Sequence, residues 1–142
     1  MTQSSQRTNE AVVEKTFRAW AEHDVDAFGD VYAPDVIHRN VDLDGLEDLQ
    51  ESAEAWFAAF PDLDHTVEAT VAEGNMVVSR VLITGTHEGY SDLYGGLEPT
   101  GEEFEMLGLF MERVEDGTIV ERWVVENHLS LLNQLNAVRM TL

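Results

Sequence analysis

Halfway along the chain the apolar residues change period, and that switch restricts the sequence to one class of fold. Before residue 61 they fall at helical spacing. After it they fall in long runs rich in Val, Thr, Ile, Phe and Met, broken by turn signals. Val13, Phe17 and Trp20 stand at i, i+4 and i+7 behind a cap at Thr8. Phe28, Val31 and Tyr32 mark a short second helix ended by Pro34, and residues 36–41 read as a short strand. Leu46, Leu49, Ala53, Trp56, Phe57 and Phe60 give a third helix with one apolar face, stopped by Pro61. Strands follow at 63–73, 76–88, 102–115 and 118–127, with turns at Glu73-Gly74-Asn75 and Asp116-Gly117, and a last helix over 129–138. Helices first and long antiparallel strands after them predict an α+β fold whose helices cover one face of the sheet. No repeat or linker divides the 142 residues, so the reading is one domain over 1–142, with residues 1–8 a flexible lead.

Charge narrows the partners. Eight basic residues against 28 acidic ones leave −20, and Lys15 is the only lysine. Such a surface repels nucleic acid phosphates and anionic lipid, so neither is expected as a partner. It also repels itself, and at about 1 M salt, where the Debye length is roughly 3 Å, that repulsion is screened. The expected habitat is the cytoplasm of an organism adapted to high salt. Met1–Asn9 is polar, and the densest apolar stretch, Ala55–Phe60, is too short to span a bilayer. With no cysteine, thiolate metal sites and a cysteine nucleophile are excluded.

Several motifs come close and fail. Asn40-Val-Asp42-Leu-Asp44-Gly45 followed by Glu51 nearly spells a calcium loop, but Asn stands first, Glu47 is charged at position 8 and a strand precedes it. It reads as a strand-to-helix loop. His23, His38, His65, His87 and His128 show no metal-helix spacing, Gly89-Tyr-Ser91-Asp-Leu93 lacks the second glycine of a nucleophile elbow, and Gly95-Gly96 opens no helix. No metal or cofactor is expected. What remains is acid–base or binding chemistry in a cavity. The segment 89–101, glycine-rich with Tyr90 and Tyr94, is either a lid over that cavity or a solvated connector.

Strict alternation assigns the faces. It groups Ile119, Trp123, Val125 and Asn127 on one side of the last strand and Arg122, Glu126 and His128 on the other. It also groups Val81, Ile83 and His87, and Phe104, Met106, Gly108 and Phe110. With the apolar faces inward, His87 and Asn127 become polar groups among apolar walls. The expected pocket is lined by Trp20, Phe57, Phe60, Ile83, Tyr90, Tyr94, Met106, Phe110 and Trp123. For each polar residue a structural reading stands beside the functional one: His87 satisfied by a carbonyl at the rim, Asn127 bonding a nearby turn.

The order and spacing of several pieces resemble the SnoaL-like polyketide cyclase family of the nuclear transport factor 2-like fold. They are Ala19-Trp20, Tyr32-Ala-Pro-Asp35 before the strand with His38, Phe60-Pro-Asp-Leu63, Glu73-Gly74 and Thr84-Gly-Thr-His87-Glu-Gly89. Pro99-Thr-Gly101, Arg113-Val-Glu-Asp-Gly117-Thr-Ile-Val-Glu121-Arg-Trp123 and Gln134-Leu135 complete the pattern. The resemblance implies a cone made by a strongly curved, mixed but mostly antiparallel sheet and three helices (a cystatin-like arrangement), often as a homodimer. By alternation Val120, Val124 and Leu107 lie on the outer face and would need a partner to cover them. It implies an apolar cavity in which an aspartate, four residues after the tryptophan of the last strand, takes a proton from a carbon acid for ring closure. Here that position is Asn127, whose amide cannot accept the proton. Glu126 should face away unless a β-bulge near the strand end reverses it. The loop 89–101 is also slightly longer than the family's usual one. Two classes of function follow. One is a cofactor-free enzyme acting on a carbonyl compound, with His87 and His38 as acid and base and Asn127 holding the substrate oxygen. The other is a non-catalytic binder of a hydrophobic metabolite.

Overall fold

The computed structural model describes residues 3–137. Helix α1 (Gln3–Ala21) buries Val13, Phe17 and Trp20 along the stripe their spacing foretold, but it begins upstream of Thr8, which therefore does not cap it. A 3-10 turn (Val25–Asp30) follows, with Asp24 accepting from the Ala27 amide at 3.3 Å. Pro34 does not end a helix. It lies inside strand β1 (Tyr32–His38), which pairs only with the last strand and so forms a sheet edge, where a residue without an N–H is tolerated. Helix α2 (Gly45–Ala59) turns Leu49 and Ala53 inward and stops before Pro61.

Strands β2 (Asp64–Glu73), β3 (Met76–Thr86), β4 (Glu103–Glu115) and β5 (Thr118–Glu126) carry the second half, closed by the short helix α3 (His128–Gln134). The expected last helix, over 129–138, began one residue later and ran further: the observed one ends at Gln134 with Leu135 as its cap, and residue 138 lies outside the described residues. The sheet order is β1-β5-β4-β3-β2, with β1 parallel to β5 and every other pair antiparallel. Asp116 (φ 49°) and Gly117 (φ 77°) both take the left-handed values of a type I′ turn, as the Asp-Gly pair signalled. The fold is thus the expected α+β arrangement, a curled, mostly antiparallel sheet with helices on its concave side.

Two extra residues bend the sheet. Glu68 is bulged from β2, where Val67 pairs with Val81 but Ala69 with Arg80. Val120 is bulged from β5, where Val114 pairs with Ile119 but Arg113 with Glu121. The second bulge overturns the alternation read for β5. Beyond it Arg122, Val124 and Glu126 turn to the concave side, while Trp123 and Val125 turn out, Val125 being 61% exposed. Val124, expected outside, is buried. The faces of β3 and β4 are as alternation gave them: Val81, Ile83, Phe104, Met106 and Phe110 are all buried. No helix among the described residues is long and apolar enough to cross a membrane.

Candidate functional site

Between α1, α2 and the concave side of the sheet lies a cavity of about 230 Å³. Its walls are apolar: Trp20 from α1, Leu49 and Trp56 from α2, Ile83 from β3, Phe110 from β4 and Val124 from β5. Gly108 makes room for it. A Cβ there would stand 2.8 Å from the Phe110 ring and 3.2 Å from Ile83 Cδ1, so a larger residue would crowd both. The loop 89–101 closes one side, inserting Leu93 and Tyr94.

That loop is fastened at both ends. At Gly89 a Cβ would fall 1.8 Å from the Ala58 carbonyl oxygen, so only glycine lets the loop start flush against the end of α2. There the Glu88 and Gly89 amides both donate to the Ala59 carbonyl at 3.2 Å. At the other end His87 is the pin. Its amide donates to Glu102, its carbonyl accepts from Gly101 at 2.8 Å, and its Nδ1 accepts from the Thr100 amide at 3.2 Å. Only 2% exposed and packed on Phe60, its ring is outside the cavity lining. Burial holds its pKa below the usual histidine value.

Two of the polar groups that face the cavity come from positions on β5 that strict alternation hid. Glu126 and Arg122 enter through the β5 bulge, and His128 follows at the start of α3. His128 Nε2 lies 3.5 Å from Glu126 Oε1, and its Nδ1 is 2.5 Å from the Tyr94 hydroxyl. With the imidazole proton on the nitrogen facing Glu126, Tyr94 donates to Nδ1, giving a relay from loop to strand. Burial, then the nearby Glu126 charge, raises the Tyr94 phenol above its usual range. On β2, His65 sits beside the Trp20 ring with its Nδ1 buried and unpartnered. Burial pushes its pKa down to about 4 against the opposing pull of Glu126 and Asp64, so at neutral pH it is an uncharged imidazole. His65 was readable: it shares a strand face with Leu63 and Val67.

Arg122 is buried on a polar floor. One guanidinium nitrogen is 3.2 Å from His38 Nδ1, whose Nε2 in turn donates to the Gly45 carbonyl at 3.0 Å. His38 therefore steadies Arg122 and does not line the cavity. Burial lowers its pKa most, so it stays neutral. Glu112 lies 4.0 Å from Arg122 Nε, with no hydrogen-bond partner for either carboxylate oxygen. Burial pushes its pKa up to about 7 although Arg122 pulls it down.

Of the residues expected to form the pocket, Trp20, Ile83, Tyr94 and Phe110 line the cavity. The others lie elsewhere, each for a local reason. Asn127 is exposed and caps α3, its Oδ1 accepting from the Ser130 amide at 3.0 Å; the alternation that put it inside fails at the bulge. Phe57 stacks on His23, Phe60 and Met106 fill the adjoining core, Tyr90 is 56% exposed, and Trp123 points outward. Asn40, first residue of the calcium-like segment, instead pairs with both backbone groups of Val124, at 2.6 and 3.0 Å.

The family model for SnoaL-like polyketide cyclases matches residues 10–135. Among solved structures, AclR from Streptomyces galilaeus, provisionally assigned as a hydroxylase, is 28% identical with a TM-score of 0.82, covering 96% of this chain and 89% of its own. IdmH from Streptomyces antibioticus, provisionally assigned as a polyketide cyclase, is also 28% identical with a TM-score of 0.76, covering 90% and 98%. A SnoaL-like protein from Jannaschia sp. CCS1, at 22% identity and a TM-score of 0.82 over 94% and 95%, shares the fold. No curated protein matches the chain.

Proposed function

The chain belongs to the SnoaL-like polyketide cyclase family, and from that membership we propose that it is a cofactor-free acid–base catalyst acting on a small carbonyl compound, with Glu126 as its base. One observation carries the reading. A carboxylate faces the apolar cavity one residue before the position where the family resemblance leads one to expect an aspartate, while the amide at that position faces solvent. The bulge at Val120 thus returns a titratable group to the site.

In this reading Glu126 removes a proton from the carbon beside a carbonyl, and the electron pair moves onto the carbonyl oxygen. The neutral imidazole of His65 donates a hydrogen bond to that oxygen. The enolate carbon then attacks a second carbonyl of the same molecule, closing a ring, and the proton held by Glu126 returns to the new alkoxide. His128 and Tyr94 orient the carboxylate. Trp20, Phe110 and Val124 exclude water, which strengthens each of these interactions. Asn127, His87 and His38 act through structure alone. The substrate is small, since the cavity lies somewhat below the ~300 Å³ at which drug-sized sites begin.

A second reading, a binder that does no chemistry, draws support from the same amide at Asn127. Aryl methyl ketones incubated with the protein in D₂O and molar salt separate the two. Methyl protons that exchange faster than in buffer indicate a catalyst. A raised melting temperature without exchange indicates a binder, and neither effect contradicts both.

A further inference from the structure

The floor of the cavity holds an arrangement that proton abstraction at Glu126 does not use. Arg122 is 4% exposed and is the one arginine or lysine among the described residues lining the cavity. Its Nε is buried without a hydrogen-bond partner, and among the described residues its side chain makes one hydrogen bond, to the neutral His38. The nearest carboxylate, Glu112, stops at 4.0 Å and bonds nothing with either oxygen. Two buried charges that face each other without hydrogen bonds compensate poorly for their lost hydration. Tyr32, its ring 5.9 Å beneath the guanidinium and its hydroxyl bonded by Trp20 Nε1 at 3.0 Å, supports the arginine from below without neutralising it. In a chain of net charge −20, a guanidinium kept this way at the floor of an apolar cavity is placed to meet an anion.

We infer that Arg122 receives an anionic oxygen of the ligand, so that the molecules this cavity takes carry a carboxylate on a small flat apolar body. The inference rests on the reading of this cavity as the ligand site. His38 and Tyr32 hold the guanidinium in place. Glu112, 4.0 Å from the guanidinium, is an internal competitor for it that compensates it poorly, and its carboxylate withdraws from the contest by taking a proton from solvent when the ligand's anion arrives. Trp20, Ile83 and Phe110 flank the apolar body.

The test uses 2-naphthoate and its neutral isostere 2-naphthamide, titrated calorimetrically into the full chain at pH 7.5 in 1 M KCl. A charge-assisted hydrogen bond predicts naphthoate binding tighter by about tenfold or more. Arg122→Gln should erase that preference and leave naphthamide affinity within about threefold. Because that change strands the Glu112 carboxylate, the Glu112→Gln/Arg122→Gln double variant carries the same readout with neither charge present. Glu112→Gln alone should tighten naphthoate and leave naphthamide unchanged, which a merely structural ion pair would not do. Equal binding of the two compounds, no binding of naphthoate, or a preference that survives loss of Arg122 overturns the inference. Ketone exchange without carboxylate preference would sink this inference and leave the proton-abstraction reading standing. Carboxylate preference without exchange would do the reverse.

Discussion

At Glu112 the interior accepts a carboxylate with no hydrogen bond, and the consequence is a pH dependence of known sign. Its folded pKa, about 7, is above the ordinary value of 4.5, so the folded state holds this proton more tightly than the unfolded chain. Its contribution to stability is therefore fully present below about pH 4.5 and is lost as pH rises through 7. Other carboxylates run the opposite way, Glu121 between Arg113 and Arg39 among them, so the raw stability curve mixes signs. The difference between the parent and Glu112→Gln isolates one group. The variant should unfold several degrees higher at pH 8, a gain of roughly 1–3 kcal/mol for removing an unsatisfied buried charge, with the difference vanishing near pH 4.5. Parallel melting curves from pH 4.5 to 8 would show that Glu112 does not carry the strain assigned to it.

At the scale of elements, the helices and strands were legible because apolar spacing and turn residues report the backbone directly. Val13, Phe17 and Trp20 marked α1, and Asp116-Gly117 marked the β4–β5 hairpin. The site was far less legible. Two of its polar residues, Arg122 and Glu126, sit on the strand where one bulged residue, Val120, inverts every face beyond it, and no residue type announces such a bulge. The same inversion explains why Asn127 was read as a pocket residue and Glu126 as a surface one. The loop 89–101 was ambiguous for another reason. Whether a glycine-rich segment covers a cavity depends on what fastens it, here Gly89 against Ala58 and His87 to Thr100 and Gly101, and those contacts are long-range. Gly89→Ala forces a Cβ into the Ala58 carbonyl, so the loop must lift. Amide hydrogen exchange at 90–101 should accelerate by about tenfold or more while the β3–β4 amides keep their protection. Unchanged protection in the loop would mean that this contact does not hold it.

For the whole molecule, charge and sheet exposure set the expectations. With −20 on 142 residues, self-repulsion should depress stability in dilute buffer, and melting should rise by roughly ten degrees or more between 0.1 M and 2 M KCl as the Debye length shrinks. A salt-independent melting temperature would contradict adaptation to high salt. The outer face of the sheet carries Leu107 and Leu109, about half exposed, with Leu109 opposite Val125 and Met111 opposite Trp123. A second copy of the chain is the expected cover for this stripe. Light scattering in 2 M KCl should give a dimer, and Leu109→Glu a monomer; a monomeric parent would refute this. Function depends on all these parts at once, since the cavity exists only where α1, α2, the loop and the bulged strand meet. In the proposed reaction the working carboxylate is Glu126 and not the residue at 127. The direct measurement is the initial rate of ketone methyl-proton exchange in D₂O for the parent, Glu126→Gln and Asn127→Asp proteins. Glu126→Gln should lower the catalysed rate by about 100-fold or more, while Asn127→Asp, still able to cap α3, should keep it within about twofold. Full activity in Glu126→Gln, or a large gain in Asn127→Asp, would contradict the assignment.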